Sequence, residues 1–96
     1  MEIYCFARFH AQPGKRDQVR QAMFEVQGPT RLEEGCLDYG GFHSMRDPDE
    51  FYIYSRWRDL EAFDEHSALA HTVRFVETME TLIDHPFRVT LGEKLW

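Results

Sequence analysis

The run from Arg46 to Trp57 constrains the fold more than any other part of this chain. Asp47-Pro48-Asp49 signals a turn, because proline presets one backbone angle and the aspartates bond their own backbone. Phe51-Tyr52-Ile53-Tyr54-Ser55-Arg56-Trp57 follows, with the β-branched and aromatic density of a central strand. At period two, Phe51, Ile53, Ser55 and Trp57 share one face, and Tyr52, Tyr54 and Arg56 the other. Neither is a plain solvent face. The strand is therefore expected to be buried on both sides, with a pocket on one and a partner subunit on the other.

A chain of 96 residues makes one domain with a modest core. Aromatic residues make up 15% of it, enough to serve core, pocket and interface together. Its 11 basic against 17 acidic residues leave a net charge of −6, without long runs of either sign. No basic stripe is present to neutralise phosphates, which argues against nucleic acid, and the same charge argues against docking on anionic membranes. No apolar run approaches the ~20 residues that span a bilayer. No secretory signal is visible after Met1, and Cys5 and Cys36 form no disulfide framework, so a reduced, cytoplasmic protein is expected.

The flanking segments supply partners for that strand. Glu2 to His10 alternates as a first strand, with Ile3, Cys5, Ala7 and Phe9 on one face and Tyr4, Phe6, Arg8 and His10 on the other. Pro13-Gly14 ends it. From Lys15 the period lengthens, and Val19, Ala22, Met23 and Val26 trace one helical stripe that Gly28-Pro29 should stop or kink. Cys36 to Met45 reads as the second strand. Its Gly40-Gly41 pair marks either a bulge or the close approach of a ligand or backbone, and the bulge is the expectation.

After Trp57, Asp59 caps a helix with Leu60, Phe63 and His66 on one side. A break is expected over Ser67 to Ala70. A longer helix then runs to about Ile83, with Val73, Val76, Met79 and Ile83 inward and Phe75 and Leu82 on its shoulders. Phe87 to Leu95 is the last strand, with Phe87, Val89 and Leu91 alternating. The order β-α-β-β-α-β predicts an α+β, ferredoxin-like fold with helices on one face of a four-stranded antiparallel sheet. The other face, with Tyr4, Phe6, Tyr52 and Tyr54, lacks a cover, and a homodimer packed sheet against sheet would supply one.

Several short pieces in this order resemble one family. Ala7-Arg8-Phe9 leads to Pro13-Gly14-Lys15, followed by Glu34-Gly35-Cys36-Leu37 with Tyr39. Asp47-Pro48, Arg56-Trp57, Ala62, His66 and the stretch from His71 to Phe75 continue the pattern. Over nearly its whole length the chain resembles the antibiotic biosynthesis monooxygenase family of dimeric α+β barrels, which includes quinol monooxygenases. The resemblance implies cofactor-free oxygenation of an electron-rich phenol, anthrone or quinol by dioxygen. Other members degrade haem or isomerise sugar-like signals, and a non-catalytic ligand-binding dimer is the alternative of another class. Two departures stand out. Ser55 occupies a position where relatives usually carry Glu, and Ala7 aligns where the haem-degrading branch carries Asn.

No metal or cofactor motif is present: there is no Gly-rich dinucleotide loop, no His-Glu-x-x-His and no paired Cys spacing. His66 and His71 are five apart, a poor spacing for two ligands on one helical face. Without a cofactor the substrate must supply the electrons, so the site needs an apolar slot, a base and a donor to the resulting anion. His66 is the expected base, since imidazole titrates in the right range. Trp57 is the expected donor through its indole N–H. Ser55 would orient a substrate hydroxyl. Ala7, Phe9, Phe63, Phe75 and Met79 would wall the slot, and His71 would guard its mouth.

Overall fold

A computed structural model describes residues 1–96. In chain order the elements are β1 (Ile3–His10), α1 (Arg16–Arg31), β2 (Cys36–His43), β3 (Glu50–Trp57), α2 (Leu60–Ala68), α3 (Ala70–Glu80) and β4 (Arg88–Gly92). The strands form one antiparallel sheet in the order β2-β3-β1-β4, with β1 and β3 central. This is the expected ferredoxin-like arrangement, with the helices on one face.

The turn before β3 is built as its sequence suggests. Asp47 Oδ1 accepts from the Asp49 amide at 3.0 Å, the Asp47 carbonyl accepts from the Glu50 amide, and Ser44 Oγ takes the Arg46 and Asp47 amides. In β3, Phe51, Ile53, Ser55 and Trp57 are all at most 6% exposed and face the helices. Opposite Trp57 and Ser55, β1 contributes Ile3 and Cys5 to the same face. Cys5 and Cys36 lie on strands that are not neighbours, and both thiols are free.

Four expectations need correcting. The helix α1 does not stop at Gly28-Pro29 but continues to Arg31. Burial of Val26 and of Thr30 holds the final turn on the sheet and outweighs the one donor that Pro29 lacks. The bulge in β2 falls between Cys36 and Asp38, while Gly40 and Gly41 run in regular register opposite Tyr54 and Ile53. The inward stripe of α3 is Thr72, Phe75, Val76 and Met79, so Val73 is 42% exposed instead of inward. The helix also ends at Glu80, and Leu82 and Ile83 are buried in the following turn.

The strand β4 lies beyond the cover of the helices. Val89 and Leu91 share the helix-side face with Ala7 and Cys5, their partners on β1, yet are 51% and 42% exposed. On the opposite face, Phe6 is 52% and Tyr52 37% exposed, and Tyr54 stands 5.8 Å from Phe6 and 6.5 Å from Tyr4 between ring centroids. No helix is long and apolar enough to cross a membrane.

Candidate active site

A cavity of about 230 Å³ lies between the sheet and the helices. Ala7 and Phe9 from β1, Ser55 from β3, Phe63 and His66 from α2 and Phe75 from α3 all line it, as the sequence suggests. Phe87 and Val89 complete the wall at the β4 edge, and the exposure of Val89 marks this as its open side. Three expected residues do not line it. Met79 is fully buried in the core, His71 borders a separate outer pocket, and Trp57 is fully buried behind His66.

Local sequence explains where His66 points. Asp59 accepts the Ala62 amide at 2.8 Å and so caps α2 at its start, worth about 1 kcal/mol to the helix. Gly35 lets the loop before β2 approach that helix, since a Cβ there would lie 2.4 Å from the Cβ of Ala62. The Gly35 carbonyl also accepts the Arg58 amide at 2.9 Å. These contacts bring Glu33 beneath the C-terminal end of α2.

Glu33 is the site residue that the sequence reading missed. Its Oε2 accepts from His66 Nδ1 at 2.8 Å and from His71 Nε2 at 2.7 Å. The two histidines meet on one oxygen because Leu69 is extended (ψ 148°) and starts a new helix between them. The five-residue spacing, poor on a continuous helix, is therefore no obstacle here. All three ligand atoms lie within 4.8 Å of one another, a two-histidine, one-carboxylate set of the kind that divalent metals take. As it stands, each nitrogen has a carboxylate to donate to, and a cation would have to displace both ring protons.

With Nδ1 held by Glu33, His66 makes no protein hydrogen bond through Nε2, which is left as the acceptor nitrogen. A carboxylate that fixes the tautomer and orientation of an imidazole in this way also raises its basicity. Burial is the larger influence and holds His66 below the ordinary histidine range, with Glu33 opposing and His71 adding to the fall. Thr72 Oγ1 lies 3.2 Å from Nδ1. Trp57 backs the ring at 4.4 Å between centroids, and Phe63 stands edge-on to Trp57 at 6.1 Å.

The indole N–H of Trp57 is already used: it donates to Ser55 Oγ at 2.9 Å. That N–H is therefore occupied within the protein and is not free for a bound anion. Ser55 accepts from Trp57 and keeps its own O–H, and a donated hydrogen bond of this kind strengthens the next one in the chain. Ser55 lines the cavity, and Cys5 beside it is the competing partner. Burial pushes the Cys5 thiol up, so it stands there as a neutral, weakly polar group.

The fold is shared with solved members of a known family. Residues 2–78 match the family described as antibiotic biosynthesis monooxygenase, and the chain belongs to it. It is 32% identical over 89 residues to Rv0793 of Mycobacterium tuberculosis, covering 93% of this chain and 87% of that protein. It is 26% identical over 91 residues to YcnE of Bacillus subtilis, covering 95% and 96%. The solved structure of Rv0793 superposes with a TM-score of 0.94 over 99% of this chain and 96% of that one, at 28% identity. That of PA3566 from Pseudomonas aeruginosa gives 0.92 over 99% and 95%, at 26% identity.

Proposed function

We propose that the chain is a homodimeric monooxygenase that oxidises an electron-rich quinol, phenol or anthrone-like molecule with dioxygen, the substrate supplying the electrons. The observation that carries this reading is the pairing of His66 with Glu33 at the wall of an apolar cavity. His66 Nε2 takes a proton from the acidic O–H or C–H of the bound substrate. The Ser55 hydroxyl, supported by Trp57, donates to the oxygen on which negative charge develops. The carbanion or phenolate gives one electron to dioxygen, and the radical pair combines to a peroxide. Protonated by His66, the peroxide loses water and leaves a carbonyl: one CH₂ and one O₂ become one C=O and one H₂O. Phe9, Phe63 and Phe75 keep bulk water from the anion.

The test is oxygen uptake, with product analysis, on a panel of quinols and anthrones. Wild type is expected to turn over at least one of them, with Ser55→Ala slower by about tenfold through loss of one donor. A panel that yields ligand binding without oxygen uptake favours the second reading, a non-catalytic binding dimer. Consumption of the Trp57 N–H within the protein is the observation on its side.

Dimerisation belongs to the same reading. The ladder of Tyr4, Phe6, Tyr52 and Tyr54 on the uncovered sheet face is supported by its exposure and by its paired rings. Tyr54→Glu is expected to yield monomer or insoluble protein in sedimentation. A dimer that persists at micromolar concentration would place the interface elsewhere. With both thiols free, a reducing cytoplasmic setting accompanies this reading.

A further inference from the structure

We infer that the groove between α1 and β2 is a second binding site, which takes a planar aromatic carboxylate. It is the larger of the two spaces, about 360 Å³, and lies across Tyr39 and Ile53 from the His66 cavity, whose wall those residues also form. The inference stands apart from the catalytic reading and does not depend on it.

The first argument is Gly41. Gly40 and Gly41 sit in regular register on β2, and the only positive φ among the glycines is at Gly14. Backbone conformation therefore gives no reason for glycine at either position, and on the groove side space gives one at Gly41. A Cβ on Gly41 would stand 3.2 Å from Met23 Cε, and one on Gly40 would stand 3.2 Å from the ring of Phe42. Gly41 lies on the helix side with Ile53, so its missing side chain leaves a flat floor beside Met23 that Phe24 (62% exposed) borders, while Gly40 and Phe42, opposite Tyr54 and Tyr52, belong to the other face at the edge of the sheet. A ring system of two or three fused rings suits such a slot better than a chain or a sugar.

The second argument is charge. In a protein with 17 acidic against 11 basic residues, no carboxylate lines this groove, and its charged side chains are Arg20 and Arg31. Together with Phe24 and Gln27 they recur at i, i+4, i+7 and i+11, one face of α1. Neither arginine takes part in an ion pair. Arg31 donates from Nη2 to the Tyr39 carbonyl at 3.1 Å, which steadies the guanidinium against β2 at the rim of the groove. Its other N–H groups remain for an incoming carboxylate, for which a guanidinium fork is the natural partner.

The experiment is an amide-resolved NMR titration with 2-naphthoate, set against the uncharged 2-naphthylmethanol. Expected are saturable shifts at Gln27, Gly40 and Gly41, with the alcohol weaker by about tenfold for want of the charge-assisted bond. Arg31→Gln should weaken naphthoate by a similar factor, and Gly41→Val should abolish the site by filling it. Should Gly41→Val fold poorly, the surface substitution Arg31→Gln still decides the matter. Shifts confined to Ser55, His66 and Phe75, equal affinity for acid and alcohol, or no saturation would each overturn the inference. So would groove shifts that follow protein concentration without ligand, which would assign the groove to a second copy of the chain.

Discussion

Two histidines of this protein hold carboxylates at almost the same distance and are driven in opposite directions. His10 is flanked on both nitrogens, by Asp84 at 2.7 Å and Asp47 at 2.8 Å, in a site open enough that little desolvation opposes them. Its hydrogen bonds to Asp47 and Asp84 raise it above the ordinary histidine range. His66 donates to Glu33 at 2.8 Å, but near the junction of α2 and α3, and there burial outweighs the carboxylate and lowers it. Partner and distance do not decide protonation by themselves; the cost of bringing charge out of water does. His10 thus ties the turn before β3 to the segment after α3 with its cationic form favoured, while His66 is biased toward the neutral form that can accept a proton.

The largest effect that would break this contrast is on rate. His66→Ala is expected to lower oxidation of a competent quinol or anthrone by about 10²–10⁴-fold, the usual worth of a general base. His10→Ala, outside the cavity, should stay within about twofold of wild type. Equal losses in steady-state oxygen uptake would erase the distinction.

Next in size is the pH dependence. The rate should rise with pH through a limb lying below the ordinary histidine value, because only neutral His66 accepts a proton. Glu33→Gln removes the carboxylate that favours imidazolium, so the acid limb should move lower still. The plateau rate should drop by about tenfold as the fixed tautomer and its basicity are lost. An acid limb that moves upward in this variant would refute the assignment of Glu33.

The smallest effect belongs to stability. A folded-state value raised above the unfolded one makes the His10 contribution fully present below the unfolded histidine value of about 6.5. It is then lost as pH climbs through the raised value. Wild type should therefore exceed His10→Gln in melting temperature by more at pH 6 than at pH 9. Partial exposure and salt keep the gap to a few degrees. Asp47, held low by the Asp49 amide and then by His10, keeps its charge throughout that interval. A gap that widened with pH would reverse the sign of the clamp.

Much of this was legible from periodicity. Alternation in β1 and β3, the Asp-Pro-Asp turn and the Asp59 cap carried the fold and placed His66, Ser55 and the phenylalanines around one cavity. Local patterns could not carry what depends on the approach of distant segments. Glu33 follows a helix end and precedes Glu34, and nothing in composition separates the half-buried carboxylate from the exposed one. The Trp57–Ser55 bond was also hidden, although the two share a strand face, because the direction of an indole N–H follows from how the ring packs. The glycine pair misled in an instructive way. A bulge exists in β2, but it sits at Leu37, where no glycine announces it.

The interruption at Leu69 also bears on how this chain can change over generations. Surface junctions between helices ordinarily accept insertions and deletions freely. Here one residue more or less between His66 and His71 would swing the second histidine by about 100° around its helix and take it off Glu33. The joint looks like a loop from outside, yet its length is as tightly specified as the identity of the two residues it separates. Lineages that keep the Glu33–His66 pairing are thus expected to vary the side chains of this junction while conserving the count.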